Sequence, residues 1–174
     1  SEDVILNKIF NSFAFEEEYI KQATILSNSE YLDRLVKRKQ QDLNILLTRV
    51  YNENPFYVFP IGILHENQKY IRSKIHSKLQ CINVYFSHVK NEAVYLKVEN
   101  KINLPIEIHY LTHNSQTKIY PKDRILLKSH YKTTNINQDI SFRLGNNINM
   151  PELSSDSIEI YYSILGMEEI KSTI

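Results

Sequence analysis

Residues 101–111 read KINLPIEIHYL. Ile102, Leu104, Ile106, Ile108 and Tyr110 alternate with Asn103, Glu107 and His109, the period of two that sends successive side chains to opposite faces of a strand. Pro105 has no N–H to give to a ladder, so it belongs at the start of such a strand or at a sheet edge. The polar face puts a carboxylate two residues from an imidazole. The stretch therefore poses a structural question and a functional one together.

The same period continues outward. Ile82, Val84 and Phe86 alternate with Asn83, Tyr85 and Ser87, the polar KNE at 90–92 follows, and Val94, Leu96 and Val98 resume, which predicts a hairpin. Further half-buried strands are expected at Ile119, at Ile125 with Leu127 after YPKD, at Ile140 with Phe142 and Leu144, and at Ile158, Ile160, Tyr162 and Ile164. About seven strands separated by Asn, Ser and Pro loops predict an antiparallel sandwich or barrel. The longest irregular stretch, GNNINMPELSSDS at 145–157, reads as a crossover with room for a binding loop.

Upstream the period is helical. Phe15, Tyr19, Ala23 and Leu26 share one helix face, and SNSE at 27–30 reads as a capping box in which the Ser27 hydroxyl accepts from the Glu30 amide. Leu32, Leu35, Val36, Leu43, Leu46, Leu47 and Val50 form the stripe of a second, long helix that stops at NENP, because the residue before a proline disfavours the helical region. A third, shorter helix follows Pro60, with Ile63, Leu64, Asn67, Ile71 and Ile75 at helical spacing. The fold class is therefore α+β: an N-terminal helical hairpin and short third helix in 1–77, followed by an antiparallel β-sandwich in 78–174.

A chain of 174 residues can bury roughly 70% of its unfolded surface, and 42% apolar against 24% charged residues is a globular composition. Lys and Arg number 21 against 20 Asp and Glu, so no overall field steers the protein to nucleic acid or anionic membrane, and any charged partner must meet a local patch. The single Cys81 excludes an internal disulfide and a thiolate zinc cage. No apolar run approaches the roughly 20 residues of a membrane span. Both ends lie in patterned sequence, so the chain is expected to be a piece of a longer protein, with any signal or anchor outside it.

The three glycines, Gly62, Gly145 and Gly166, form no phosphate-cradling array, no serine sits in a G-x-S-x-G elbow, and Cys81 lies in a strand-like apolar context. Among the six histidines the best metal-ligand set is His109 with His113, joined by Glu107. On an extended strand the two imidazoles lie about 13 Å apart, so sharing zinc requires the chain to turn at HNSQ. That set would serve a small metal-dependent hydrolase or transferase. Lys69, Arg72, Lys74 and Lys78, on and after the third helix, could grip a polyanion, although positive charge near a helix C-terminus is also what the macrodipole favours. The 12 tyrosines could stack on sugars or partner proteins, or pack across strands with a bonded hydroxyl.

Four segments together carry a family resemblance: FEEEYIKQATILSNSEYL, NPFYVFPIGILHENQKYIRSKI, VENKINLPIEIHYL and IEIYYSILGMEEI. They resemble the region that accompanies the kinase-like domain in bacterial proteins related to the spore-coat protein CotH. The matching positions are Phe15 with Tyr19; Asn67 with Ile71; Asn100 with Leu104, Pro105, Ile106, Glu107 and Ile108; and Tyr162 with Leu165 and Gly166. The resemblance implies a helical linker leading into a β-sandwich, in an extracytoplasmic, membrane-associated or surface setting. The kinase residues of that family belong to a separate domain, and none is placed here.

The expectation is a non-catalytic structural or interaction module of a larger bacterial surface or envelope protein. It would contact other domains of the same polypeptide, or a surface protein or glycan, through its sheet face and loops. No cofactor and no nucleic acid are expected.

Overall fold

In the computed structural model, residues 9, 12–76, 80–113, 117–130, 137–144 and 158–173 are described. The 145–157 loop and Lys78 lie outside them. The fold is α+β, with helices first and antiparallel sheets after them. Among the described residues the helices are α1 (Phe13–Ser27), α2 (Ser29–Arg38), α3 (Gln40–Glu53) and α4 (Ile61–Ile75). The strands are β1 (Ile82–Lys90), β2 (Ala93–Asn100), β3 (Ile106–His113), β4 (Thr117–Ile119), β5 (Ile125–Leu127), β6 (Asn137–Arg143), β7 (Ile158–Ile164) and β8 (Lys171–Ser172). Two compact units result: Ser1–Glu18 with Lys78–Ile174, and Tyr19–Ser77. No helix among the described residues is long and apolar enough to cross a membrane.

In the first unit, β1, β2 and β6 form a three-stranded sheet, and β4, β3, β7 and β8 a second sheet in which β5 also pairs with β3. Val94, Leu96, Val98, Ile140 and Phe142 from one sheet share a single buried cluster with Ile106, Ile108, Leu111, Ile160 and Tyr162 from the other, so the two sheets are the layers of a sandwich. Each large side chain so buried contributes roughly 1.5 to 3 kcal/mol before chain entropy is counted. β4 and β5 lie along one edge of β3, at Leu111–His113 and Ile106–Ile108 respectively. Residues 120–123, which include Pro121, break what would otherwise be one strand.

Local chemistry fixes the connections. Lys90 pairs with Ala93 across Asn91 and Glu92, whose φ values of 50° and 57° make the two-residue turn whose twist suits a hairpin. Buried Asn100 holds the crossover from β2 to β3: its Nδ2 donates to the carbonyls of Leu104 (2.8 Å) and Lys128 (2.9 Å), and its Oδ1 accepts from the Ile102 N–H (3.0 Å). Pro105 sits just before β3, where its missing N–H costs nothing, and its carbonyl accepts from the Leu165 amide at 2.9 Å. Gly166 supplies the positive φ, 82°, of the turn after β7. The buried Tyr162 hydroxyl accepts from the Cys81 amide at 3.2 Å, and burial holds its phenol above the ordinary value.

The helical unit departs from the periodicity in several places, beginning with Tyr19, Leu26 and Leu46, expected on packed stripes and exposed. The cap of α2 is Asn28, whose Oδ1 accepts from the Glu30 N–H at 3.0 Å, whereas the Ser27 hydroxyl donates back to the Thr24 carbonyl. The long second helix is interrupted at Lys39, although the Lys39 amide still bonds to the Leu35 carbonyl and its own carbonyl to the Leu43 amide. The inner face of α4 is Ile61, His65, Gln68, Arg72 and Ile75, while Ile63, Leu64 and Ile71 face outward. The cause is at the C-terminus of α1. Gln68 Nε2 donates to the Leu26 (3.0 Å) and Asn28 (2.6 Å) carbonyls, and Arg72 donates to the Ser27 carbonyl through Nε (2.7 Å) and a terminal nitrogen. Carbonyls at a helix end need donors, and a cation there meets the negative end of the macrodipole.

Candidate functional site

The outward face of the five-stranded sheet collects several of the sandwich's chemistry-bearing side chains. Its layout depends on one irregularity. Ile108 pairs with Tyr162 and Tyr110 with Tyr161, so His109 is an extra residue, a β-bulge. Ile106, Ile108 and Leu111 face the core, and the bulge turns Tyr110 outward, against the strict alternation expected for 102–110.

At the Ile106 end, Glu107 and Ser163 are partners across β3 and β7. Both Glu107 oxygens are taken by Arg124, at 2.7 Å from Nε and 2.8 Å from the terminal nitrogen, and that nitrogen also donates to Glu17 of α1 at 3.1 Å. The Arg124 hydrogen bond holds the Glu107 carboxyl below its ordinary range, and Glu107 raises Arg124 in turn. His109 Nε2 and Ser163 Oγ share a hydrogen bond of 2.9 Å. A serine, a histidine and a carboxylate are thus neighbours, but Ser163 is 2% exposed and Glu107 is aligned on Arg124. The group closes the sheet surface and presents no accessible nucleophile.

His113 does not join Glu107 and His109. It lies at the other end of β3, on the core side with Leu111, and its Nε2 is buried without a hydrogen bond. Among the described residues no group of three or more His, Cys, Asp or Glu converges to hold a metal. Of the basic set, Arg72 is committed to the α1 terminus, Lys74 Nζ stands 5.1 Å from the Tyr70 ring centroid, and Lys69 is about 140° around the helix from Lys74. The helical unit also holds a cleft of about 400 Å³ beside Asp33, Val36, Leu43, Ile61 and His65, where His65 Nε2 lies 3.6 Å from an Asp33 carboxylate oxygen.

The other end of the outer face is aromatic. Tyr161 stacks on Tyr110, with centroids 4.6 Å apart and planes at 17°, and Tyr120 leans on Tyr110 at 5.5 Å and 52°. One row thus crosses three chain segments: Tyr120 at the break after β4, Tyr110 on β3 and Tyr161 on β7. The adjacent row is charged. Thr112 pairs with Lys118 on one side and Glu159 on the other. Lys118 Nζ sits 4.7 Å from the Tyr110 centroid, and the Tyr161 hydroxyl donates to Glu159 at 3.0 Å, which holds that phenol above its ordinary value. Tyr120 stays 62% exposed.

Sequence reading had the tyrosines as a class but not this row, and it missed Arg124, Ser163, Lys118 and Glu159 altogether. Their grouping follows from strand register and the bulge, neither of which leaves a local signal. No family model matches the chain, and no curated protein matches it.

Proposed function

We propose that this chain is a non-catalytic interaction module of a larger bacterial surface or envelope protein. The outer face of its five-stranded sheet is the contact surface for a protein or glycan. One observation carries the reading. On that face the acid–base groups are paired with one another, while the tyrosine row stands open with Tyr120 exposed. Tyrosine gives large contact area at small entropic cost, which suits recognition more than chemistry.

The helical unit supports a second contact, with other domains of the same polypeptide. Phe56 is 92% exposed and Val58 80%, and Ile45, Leu46 and Ile63 add outward apolar surface of the kind a neighbouring domain covers. The envelope setting rests on the resemblance to CotH-related proteins. The residues behind that resemblance also have local work: Asn100, Pro105, Tyr162, Leu165 and Gly166 hold the crossover and the turn after β7.

Cosedimentation of the full chain with isolated envelopes of its host cell tests this reading. Wild type is expected in the pellet, and a Tyr110→Ala, Tyr120→Ala variant that melts as a folded protein is expected in the supernatant. Equal pelleting of both, or of neither, overturns the sheet face as the contact surface.

A further inference from the structure

We infer that the tyrosine row is a saccharide site that takes an uncharged pyranose chain; this builds on the reading of the sheet face as the contact surface. Cross-strand packing accounts for Tyr110 and Tyr161, whose rings cover each other. It does not account for Tyr120, which lies at the strand break with its ring tilted 52° from Tyr110 and most of its surface in solvent. The row spans two strand spacings, about 10 Å. That is a strip on the scale of a few sugar rings.

The flanking charges select the ligand. A pyranose presents C–H groups on its ring faces, which meet the electron-rich face of an aromatic ring, and hydroxyls at its rim that both donate and accept. Lys118 donates from one side of Thr112, and Glu159 accepts from the other. Both are held in place, Lys118 over the Tyr110 ring and Glu159 by the Tyr161 hydroxyl, so little side-chain freedom is lost on binding. Charges of opposite sign across the row give neither an anionic nor a cationic polymer a net advantage. A neutral polyhydroxylated chain uses both.

The test is calorimetric titration of the full chain with cellohexaose, chitohexaose, laminarihexaose and maltohexaose, and with heparin as the anionic control. At least one neutral hexasaccharide is expected to bind. Tyr120→Ala should weaken it at least tenfold, whereas Tyr70→Ala, on an exposed helix face, should leave it unchanged; both sites are exposed, so equal melting temperatures are expected. Absence of binding to all four, binding that survives Tyr120→Ala, or binding to heparin alone overturns the proposal. Treating the envelopes with protease separates the two ideas. Tyr120-dependent pelleting that protease abolishes leaves the interaction module standing with a protein partner, and removes the saccharide.

Discussion

Replacing Asn100 by alanine removes three hydrogen bonds at the crossover between the two sheets, at 2.8, 2.9 and 3.0 Å. Asn100 is buried, but Lys128 is exposed and Ile102 and Leu104 are half-buried, so water reaches some of the groups left behind. About 1 kcal/mol for each bond gives a loss of about 3 kcal/mol. Asn100→Asp is the sharper variant. It keeps the acceptor for the Ile102 N–H and sets a carboxylate oxygen against the two carbonyls. The carboxyl's folded pKa therefore lies above its unfolded value of about 3.9, so its deficit is largest above the folded pKa and shrinks as pH falls and a donor returns. Urea titration followed by tyrosine near-ultraviolet circular dichroism, with each variant referred to wild type at the same pH, measures both effects. An alanine variant within 1 kcal/mol of wild type, or an aspartate variant with a smaller deficit at pH 7 than at pH 5, refutes the role given to this side chain.

Glu92 holds a φ of 57°, so Glu92→Gly relieves a strain of roughly 1 kcal/mol against a smaller gain in unfolded-chain entropy. The melting temperature should rise, and a fall would count against the turn geometry. Arg72→Ala should cost the helical unit about 2 kcal/mol, and Arg72→Lys should restore only part, because one ammonium does not reproduce the paired guanidinium donors on the Ser27 carbonyl; far-ultraviolet melts read this. Glu107 titrates below its ordinary 4.5 in the fold, so its stabilisation is present above that value and is lost as pH falls through the folded pKa. The effect is below about 1 kcal/mol because the Arg124 side chain is 49% exposed, and it should vanish in Glu107→Gln when urea midpoints are compared across pH. Ile108→Asp should abolish the cooperative transition of the sandwich, whereas His109→Ala should cost only about 1 kcal/mol, for the buried Ser163 hydroxyl left without its partner. A native-like melt for the aspartate variant would contradict the register.

Most of the sandwich core was legible in the alternation, although, against it, Phe86 is exposed and Leu111 is buried. Val94, Leu96, Val98, Ile106, Ile108, Ile140, Phe142, Ile160 and Ile164 are buried where alternation places them, because a strand with one wet face must separate its residues by affinity for water. The helices were legible as elements but not as faces. Gln68 and Arg72 occupy the inner side of α4 because the last carbonyls of α1, some 40 residues earlier, need donors that an apolar stripe cannot give. The candidate site was least legible of all. A single extra residue at His109 reverses the side on which Tyr110 emerges, and the pairing of β3 with β4 and β7 then assembles the tyrosine row from three distant segments. Hydrophobic period determined most of which strand residues leave water, since that preference belongs to each side chain; which helix faces are covered and which polar groups meet one another was decided only by register and long-range hydrogen bonding, since those depend on where the rest of the chain lies.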